Sequence, residues 1–334
     1  DIAEEVARFH GYNNIPVTLM GGASAQGGYT PVQQAERTVG ALCRSLGYDE
    51  IITYSFISPT YYDKIGLAAD SPLRKSLKIL NPLGEDTSIM RTTTLPSMLE
   101  ILTRNYNFRN KSAYLYELGR TYFAKESGPD ADGVANEPKV LSLGAFGPEV
   151  DFFSLKGAVE TILEGLRIEG ASFAAVTDNP SYHPGRCAKV LLREKELGIF
   201  GQIRPDVAGN YGVDCELYAA ELSFDALFAA QGALPIYHAL PKFPAVARDI
   251  AVVCDAGITV GALENCIRRG AKGLLKEVAL FDIYTGTGIA PGKKSVAFNL
   301  TLRADDRSLT AAEADEDVAN ILALLKSELG AALR

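Results

Sequence analysis

The spacing of apolar and polar positions predicts a chain that alternates between amphipathic helices and short strands. The best-marked helix covers 30–47, where Thr30 suits the N-cap, Pro31 the first helical position and Gln33 a capping box. Gly47 supplies the expected C-terminal stop, since glycine readily adopts the left-handed backbone at a helix end. This helix therefore has local signals at both ends.

The same patterns predict further elements up to about residue 230. Predicted helices cover 1–12, 93–110 and 154–167, predicted strands cover 49–57, 112–119, 120–123, 142–146, 171–177, 187–193 and 196–203, and a strand leads into a helix over 215–230. Two polar stretches rich in glycine, 20–28 and 127–139, are predicted to be a linker and a long turn. Together these elements indicate an α+β fold.

From Leu240 onward the order of elements changes to β-α-β-β-α-β, which is that of a ferredoxin-like split βαβ domain. Three prolines cluster within 233–244 and predict a domain boundary there. The expected divisions are a short N-terminal part (1–29), a central domain (30–238) and a C-terminal domain (239–334).

Composition is that of a soluble globular protein, with 334 residues, 47% hydrophobic and 22% charged. The sequence contains no long apolar run and no basic-then-apolar leader, so we expect neither a membrane span nor a secretory signal. The absence of an initiator methionine predicts a fragment of a longer chain. Five cysteines without a C-x-x-C pair, together with three dispersed histidines, favour a reducing cytoplasm over disulfides or zinc.

The net charge of -8 arises entirely before residue 236, because the remaining residues hold 12 Lys and Arg against 12 Asp and Glu. Within this neutral part, 281–298 predicts two apolar strands joined by a Gly- and Pro-bearing turn. Asp282 and Tyr284 are two positions apart and so share one face of a strand. From pattern alone an ordinary hairpin with solvated lysines is favoured over a small RNA-binding surface, because such features are common.

The first residues hold three carboxylates, Asp1, Glu4 and Glu5, whose spacing places them on one face of a helix. Clustered carboxylates suit Mg²⁺, which prefers oxygen ligands. Acidic residues also favour helix N-termini through the helix dipole, and the spacing alone favours this simpler interpretation over a metal site. A His183–Cys187 nucleophilic pair is disfavoured, since no third orienting group is apparent and "HPG" predicts a turn.

Several blocks, in order, resemble the β subunit of bacterial phenylalanyl–tRNA synthetases. They are "DIAEEVARFHGYNNIP", "GYDEIITYSFIS", "LKILNPLGEDTSIMRTTTLPSMLEILTRN", "LYELGRTYF", "DFFSLKGAVE", "HPGRCAKV", "PKFPAVARDIAVV" and "FDIYTGTGIAPGKKSVAF". The resemblance covers nearly the whole chain and about the C-terminal 40% of such a subunit. It implies the tail of a B5 domain over 1–29, a synthetase-like core over 30–238 and an anticodon-binding domain over 239–334.

The core of this family is similar to the class II synthetase fold, an antiparallel sheet flanked by helices, in which two arginines hold the ATP phosphates. Aligned on 119–126, the first arginine position falls on Phe123 and its acidic neighbour on Lys125. The second arginine position falls on Ala226. The resemblance therefore implies a core without adenylate chemistry, with Arg120 as the one nearby arginine that could restore it.

The resemblance also implies that the ferredoxin-like domain binds the anticodon of tRNA(Phe). Unpaired bases are recognised by stacking on aromatic rings and by hydrogen bonds to base edges. Tyr284 is then the stacking ring, Asp282 an acceptor for guanine and Ser295 a hydroxyl contact. The residues expected to meet phosphates are Lys242, Arg248, Lys293 and Lys294.

For the whole complex, the resemblance implies an (αβ)₂ tetramer in the cytoplasm that ligates phenylalanine to tRNA(Phe) with ATP. The first-motif region, 30–56, with Tyr54 at its proline position, and the segment 90–105 are expected at the interface with the catalytic α subunit. Asp1, Glu4 and Glu5 match magnesium ligands shared with that subunit, with a further ligand expected upstream. Alternatives are a self-sufficient class II ligase and a ligand-sensing regulatory module.

Overall fold

The computed structural model describes residues 1–19, 21–22, 26–125 and 135–334. Parts of the predicted linker (20–28) and of the predicted turn (127–139) lie outside the described residues. The chain forms two compact units, Asp1–Ala233 (unit 1) and Leu234–Arg334 (unit 2). The predicted three-part division, with boundaries at 29/30 and 238/239, stays a prediction.

The elements of unit 1 in the described residues are as follows. The helices are α1 (Ile2–His10), α2 (Pro31–Ser45), α3 (Tyr61–Lys64), α4 (Leu95–Asn107), α5 (Phe152–Gly165), α6 (Pro205–Asn210) and α7 (Phe224–Ala230), with short 3₁₀ turns at Tyr12–Asn14, Pro72–Arg74 and Glu85–Thr87. The strands are β1 (Asp49–Glu50), β2 (Phe56–Ile57), β3 (Ile89–Met90), β4 (Ala113–Arg120), β5 (Phe123–Ala124), β6 (Ala135–Asn136), β7 (Lys139–Phe146), β8 (Ala171–Ala175), β9 (Tyr182–Leu192), β10 (Lys195–Ile203) and β11 (Tyr218–Ser223).

A seven-stranded sheet, in the order β1-β4-β7-β11-β10-β9-β8, forms the centre of unit 1. The β1–β4 pair is parallel and the other pairs are antiparallel. Helices α2 and α5 contribute to an apolar core on one side, and α4 contributes to a second core. The predicted α+β class and helix-flanked sheet are confirmed, and the parallel β1–β4 pair makes the sheet mixed.

Local signals place the two ends of α2 where the sequence predicts them. The Thr30 hydroxyl accepts a hydrogen bond from the Gln33 amide, and the Gln33 side chain accepts one from the Thr30 amide. Pro31 is the first helical residue, and Gly47 has a positive φ of 84° just beyond the helix. The predicted helix over 30–47 is confirmed because its caps depend on neighbours in sequence.

The prediction of one strand over 49–57 was wrong in extent. Only β1 and β2 are strands in this region, and 51–55 connects them without being assigned to a strand. The Thr53 amide donates to the Glu117 carboxylate at 3.1 Å, and the Ser55 carbonyl accepts from the Arg91 amide at 2.9 Å. The Ile51 amide still donates to the Tyr116 carbonyl of β4, whereas Arg91 directly follows β3. The segment therefore passes from the pairing with β4 to the pairing with β3.

The predicted turn at "HPG" was also wrong, since His183 and Gly185 lie within β9. Tyr182 pairs with Ile203, but the register between β9 and β10 shifts next to this pair. The Gly185 amide donates to His183 Nδ1 at 3.0 Å, which replaces a ladder bond locally. The turn-like residues His183, Pro184 and Gly185 therefore form the irregular first part of β9.

Segment 90–105 packs mainly inside unit 1. Leu95, Met98, Leu99 and Leu102 are all buried in the core that α4 shares with the sheet. The sequence left open whether these side chains serve an interface or their own domain, and the structure places them in their own domain.

Unit 2 has the predicted β-α-β-β-α-β order. Its elements are β12 (Val246–Asp255), α8 (Val260–Gly270), β13 (Leu275–Tyr284), β14 (Lys293–Leu302), α9 (Ala311–Leu329) and β15 (Ala332–Leu333). The sheet order is β13-β14-β12-β15, and every pair is antiparallel. Helices α8 and α9 bury their apolar faces against one side of this sheet. The ferredoxin-like prediction is confirmed.

No helix in the described parts of the chain is long and apolar enough to cross a membrane.

Candidate nucleic-acid interface

Residues of β14 alternate between the two faces of the unit 2 sheet. Val296, Phe298 and Leu300 belong to the core formed with α8 and α9. By alternation, Ser295 and Ala297 point to the other side, which we call the open face. A residue directly opposite another across an antiparallel pair shares its face, so the register assigns the remaining side chains.

Tyr284 and Asp282 both lie on the open face. Tyr284 is opposite Ser295 and Asp282 is opposite Ala297, with a register shift between Leu280 and Asp282. The sequence prediction that Asp282 and Tyr284 share a face therefore agrees with the register. Asp282 is exposed, so its carboxylate is accessible to a ligand on this face.

The Tyr284 ring rests against the hairpin turn rather than projecting freely into solvent. Its hydroxyl donates to the Thr287 carbonyl at 3.2 Å. A Cβ added at Gly286 would overlap the ring, so the close approach requires glycine at that position. The turn thus holds the ring in a fixed orientation above the sheet.

Ser295 is only 3% exposed, although it lies on the open face. Its neighbour on that face, Ala297, is also buried at 8% exposure. Side chains above the sheet must therefore cover this part of the face. The Ser295 hydroxyl reaches an external ligand only after that cover moves.

The predicted phosphate-binding residues do not all lie on the same face of the sheet as Tyr284. Lys293 is on the open face, and its ammonium lies 2.7 Å from the Asp255 carboxylate. Lys294 and Arg248 alternate with the open-face residues and so lie on the side of the sheet that the helices cover. Arg248 donates to Asp315 of α9 at 2.8 Å. Lys242 is exposed in the segment before β12. The structure thus brings Lys293 to the face of Tyr284 and places Arg248 and Lys294 on the helix side.

Arg334 joins the open face from the end of the chain. Its amide donates to the Ala251 carbonyl at 2.8 Å, which extends the β12–β15 pairing by one residue. Its guanidinium carbon lies 5.2 Å from the centre of the Tyr284 ring, within cation–π range. The predicted β-α-β-β-α-β order ends in a strand, but the pairing of that strand beside β12 depends on tertiary structure.

In unit 1, apolar residues occupy the two positions aligned with the phosphate-binding arginines. Phe123 lies in β5, paired with β6, and Ala226 is buried in α7. Arg120, the nearby arginine, donates to the Glu137 carbonyl at 2.9 Å and lies 4.0 Å from its carboxylate. Arg120 is therefore engaged locally at the end of β4.

A different arginine, Arg91, is buried inside unit 1. It forms a two-point ion pair with Glu117, with both N–O distances 3.2 Å, and the side chains are 1% and 5% exposed. Arg91 also donates to Thr53 Oγ1 at 2.6 Å and to the Arg120 carbonyl at 2.8 Å. All of these partners belong to the protein itself, so this guanidinium stabilises the core rather than presenting itself to a ligand.

The described residues do not assemble a metal centre from three or more His, Cys, Asp or Glu side chains. Asp1 is the N-cap of α1, and Glu4 and Glu5 lie in its first turn. The Glu5 carboxylate accepts from Arg8 Nε at 2.9 Å, so one predicted ligand already has a cationic partner. The three carboxylates share a helix face but do not fit a complete site by themselves.

The His183–Cys187 pair has no support from the electrostatics. Burial raises the pKa of the Cys187 thiol to about 12, so the thiol is protonated at neutral pH. The thiolate is the nucleophilic form of cysteine. His183 Nδ1 is occupied by the Gly185 amide.

The fold combines a helix-flanked sheet with a ferredoxin-like unit whose open face carries an aromatic ring, a carboxylate and cations. Residues 15–224 match the family described as phenylalanyl tRNA synthetase beta chain CLM domain, and 241–334 match the ferredoxin-fold anticodon binding domain. The chain belongs to the phenylalanyl–tRNA synthetase beta chain family, as its sequence blocks predict.

Similar proteins include the phenylalanine–tRNA ligase beta subunits of Clostridium tetani (43% identity) and Clostridium acetobutylicum (42%). Each alignment covers all of this chain and 42% of the relative, so the chain spans less than half the length of those proteins. A solved pyrrolysyl-tRNA synthetase from Desulfitobacterium hafniense has 15% identity and a TM-score of 0.49, covering 59% of this chain and 67% of that one.

Proposed function

We propose that this chain is the non-catalytic C-terminal portion of the β subunit of a phenylalanine–tRNA ligase. It binds the anticodon of tRNA(Phe) through unit 2 and packs against the catalytic α subunit in an (αβ)₂ heterotetramer. The complex converts ATP, L-phenylalanine and tRNA(Phe) to Phe-tRNA(Phe), AMP and diphosphate in the cytoplasm. The observation that carries the proposal is the match of 241–334 to an anticodon-binding domain with Tyr284 and Asp282 on its open face.

The geometry of the hairpin supports base stacking on Tyr284. Its ring is held by Thr287 and Gly286 instead of rotating freely, so little conformational entropy is lost when a base stacks on it. Asp282 lies two residues away on the same face, where its carboxylate can accept from the N1–H and N2–H₂ groups of guanine. Lys293 adds a cation on that face, already paired with Asp255.

The replacement of phosphate-binding arginines supports a non-catalytic role. Phe123 and Ala226 cannot bind phosphate, and Arg120 is bonded to Glu137. A guanidinium that holds phosphate in two-point fashion is not replaced by an aromatic ring or a methyl group. On this basis ATP is bound by the α subunit.

Exposed apolar side chains in unit 1 support a protein partner. Ile52 and Tyr54 are 93% and 82% exposed in the segment between β1 and β2. Leu80 and Leu83, in the loop before β3, are almost fully exposed. Large apolar side chains of this kind are typical of surfaces that a partner covers. Ile52 and Tyr54 lie within the expected 30–56 region, whereas Leu80 and Leu83 replace the buried residues of α4 in the proposed interface.

Mg²⁺ binding by Asp1, Glu4 and Glu5 is part of the proposal only as a site shared with the α subunit. The three carboxylates lie on one helix face and would supply oxygen ligands, but Glu5 is paired with Arg8. A shared site therefore requires ligands from outside the described residues.

The test is a gel-shift titration with tRNA(Phe) on the assembled complex that contains the full-length β subunit. Tyr284→Ala should weaken binding by about 1–3 kcal/mol, the loss of one base stack. Tyr284→Phe keeps the ring but loses the hydroxyl bond to Thr287, so it should weaken binding less than Tyr284→Ala does. Tyr12→Ala, which removes an exposed tyrosine of unit 1, is the matched control.

An unchanged dissociation constant for Tyr284→Ala at fixed salt would contradict the anticodon role. ATP–pyrophosphate exchange by this chain without the α subunit would instead support the self-sufficient ligase. Binding of a small molecule without affinity for tRNA would support the regulatory module.

A further inference from the structure

On the open face of unit 2, a row of small side chains lies two residues along the strands from Tyr284. In the register, Asp282 is opposite Ala297, Ala297 is opposite Ala251, and the Ala251 carbonyl binds the Arg334 amide. Neither of the two alanines rises above the sheet enough to block a long side chain. Arg334 can therefore extend across the face, from the outer strand toward β13.

Arg334 meets Tyr284 on this face, with 5.2 Å between the guanidinium carbon and the ring centre. We attribute the burial of Ser295 and Ala297 to these two side chains, because both alanine and serine lie on the same face beneath them. Arg334 and Tyr284 thus form a bridge over the residues that a bound RNA loop would approach.

The Arg334 guanidinium carries its positive charge beside the Tyr284 ring. Among the described residues, no Asp or Glu carboxylate lies within 4.0 Å of its guanidinium. By contrast, Lys293 and Arg248 are both held in ion pairs. An exposed and unpaired guanidinium beside an aromatic ring is suited to a phosphate whose base stacks on that ring.

We infer that Arg334 is a direct RNA contact, which binds the phosphate of the nucleotide whose base stacks on Tyr284. The inference rests on the proposed function, because it assigns a further contact on the same face. On binding, the guanidinium turns from the ring to the phosphate, and this movement uncovers Ser295. Arg334 takes the phosphate-binding role that the sequence assigned to Arg248, which points to the helix side.

The experiment measures the salt dependence of tRNA(Phe) affinity for the assembled complex with the full-length β subunit. A contact to one single-strand phosphate contributes about 0.7 to the slope of log K against log salt. Arg334→Gln should reduce the slope by about that amount and weaken binding about fivefold at 0.1 M salt. Arg334→Lys keeps the charge and should retain the wild-type slope.

Arg268→Gln is the matched control, since Arg268 is exposed on α8, on the opposite side of the sheet. It should leave both affinity and slope unchanged. Tyr284→Ala should weaken binding without changing the slope, because stacking releases few counterions. Circular dichroism of each complex checks that the fold is intact.

The outcomes separate the two proposals. If Tyr284→Ala weakens binding while Arg334→Gln leaves the slope unchanged, the phosphate contact is wrong and the anticodon role stands. If Arg334→Gln raises affinity, Arg334 is a cover for the ring rather than an RNA contact. If neither variant alters binding, the proposed anticodon site itself is refuted.

Discussion

Removal of the Arg91 side chain from the core of unit 1 should destabilise that unit strongly. In Arg91→Met, the Glu117 carboxylate stays 5% exposed and loses both of its bonds to the guanidinium. Removing one partner of a buried ion pair usually lowers the free energy of unfolding by about 3–5 kcal/mol. Thr53 still donates to Glu117 from its amide and hydroxyl, so we expect a value near the lower end.

The double variant Arg91→Met/Glu117→Met should be less damaging than the single one. It removes both charges and fills the space with apolar atoms, which is often close to neutral for a buried pair. The Arg120 carbonyl loses its partner in both variants. The further loss in the double variant is the Glu117 acceptor of the Thr53 amide, at a cost of about 1–3 kcal/mol when buried. The double variant should therefore lie between wild type and Arg91→Met.

Hydrogen–deuterium exchange measures this change within the chain. A loss of 3 kcal/mol corresponds to protection about 100-fold lower, which should appear in β4 and β7. Amides of β14 lie in unit 2 and provide an internal control for the same sample. Protection in β4 reduced less than tenfold by Arg91→Met, or reduced equally by the single and double variants, would refute the reasoning.

Three further predictions concern other parts of the chain. The hydrogen bond from the Thr310 amide lowers the pKa of Glu313 from 4.5 to about 2. The Glu313 carboxylate therefore stabilises the folded protein above pH 4.5, and this contribution is lost as the pH falls toward 2. Glu313→Gln should flatten the fall in melting temperature over that range, and an unchanged profile would count against it. Ile52→Asp should weaken α–β assembly in size-exclusion chromatography, whereas Phe153→Asp should not. Equal effects of the two variants would contradict the proposed interface at Ile52. Glu4→Gln should lower Mg²⁺ affinity of the tetramer by calorimetry, and equal affinity would exclude the ligand role.

The sequence alone determined those features that depend on neighbouring residues or on alternation. The ends of α2 follow from Thr30, Gln33 and Gly47, all within the helix or next to it. The β-α-β-β-α-β order and the shared face of Asp282 and Tyr284 follow from residue periodicity. Motif blocks placed the chain in its family, because their order and length are specific.

Tertiary structure alone decided which distant residues meet. Arg248 pairs with Asp315, and Arg334 reaches Tyr284, only because β12 lies between β14 and β15 and α9 covers one face. Residues 51–55 are not assigned to a strand, and the Thr53 amide bonds the Glu117 side chain of β4 instead of a backbone carbonyl. Such contacts depend on the packing of elements far apart in sequence, and the free energy of each is set by burial that no local pattern reports.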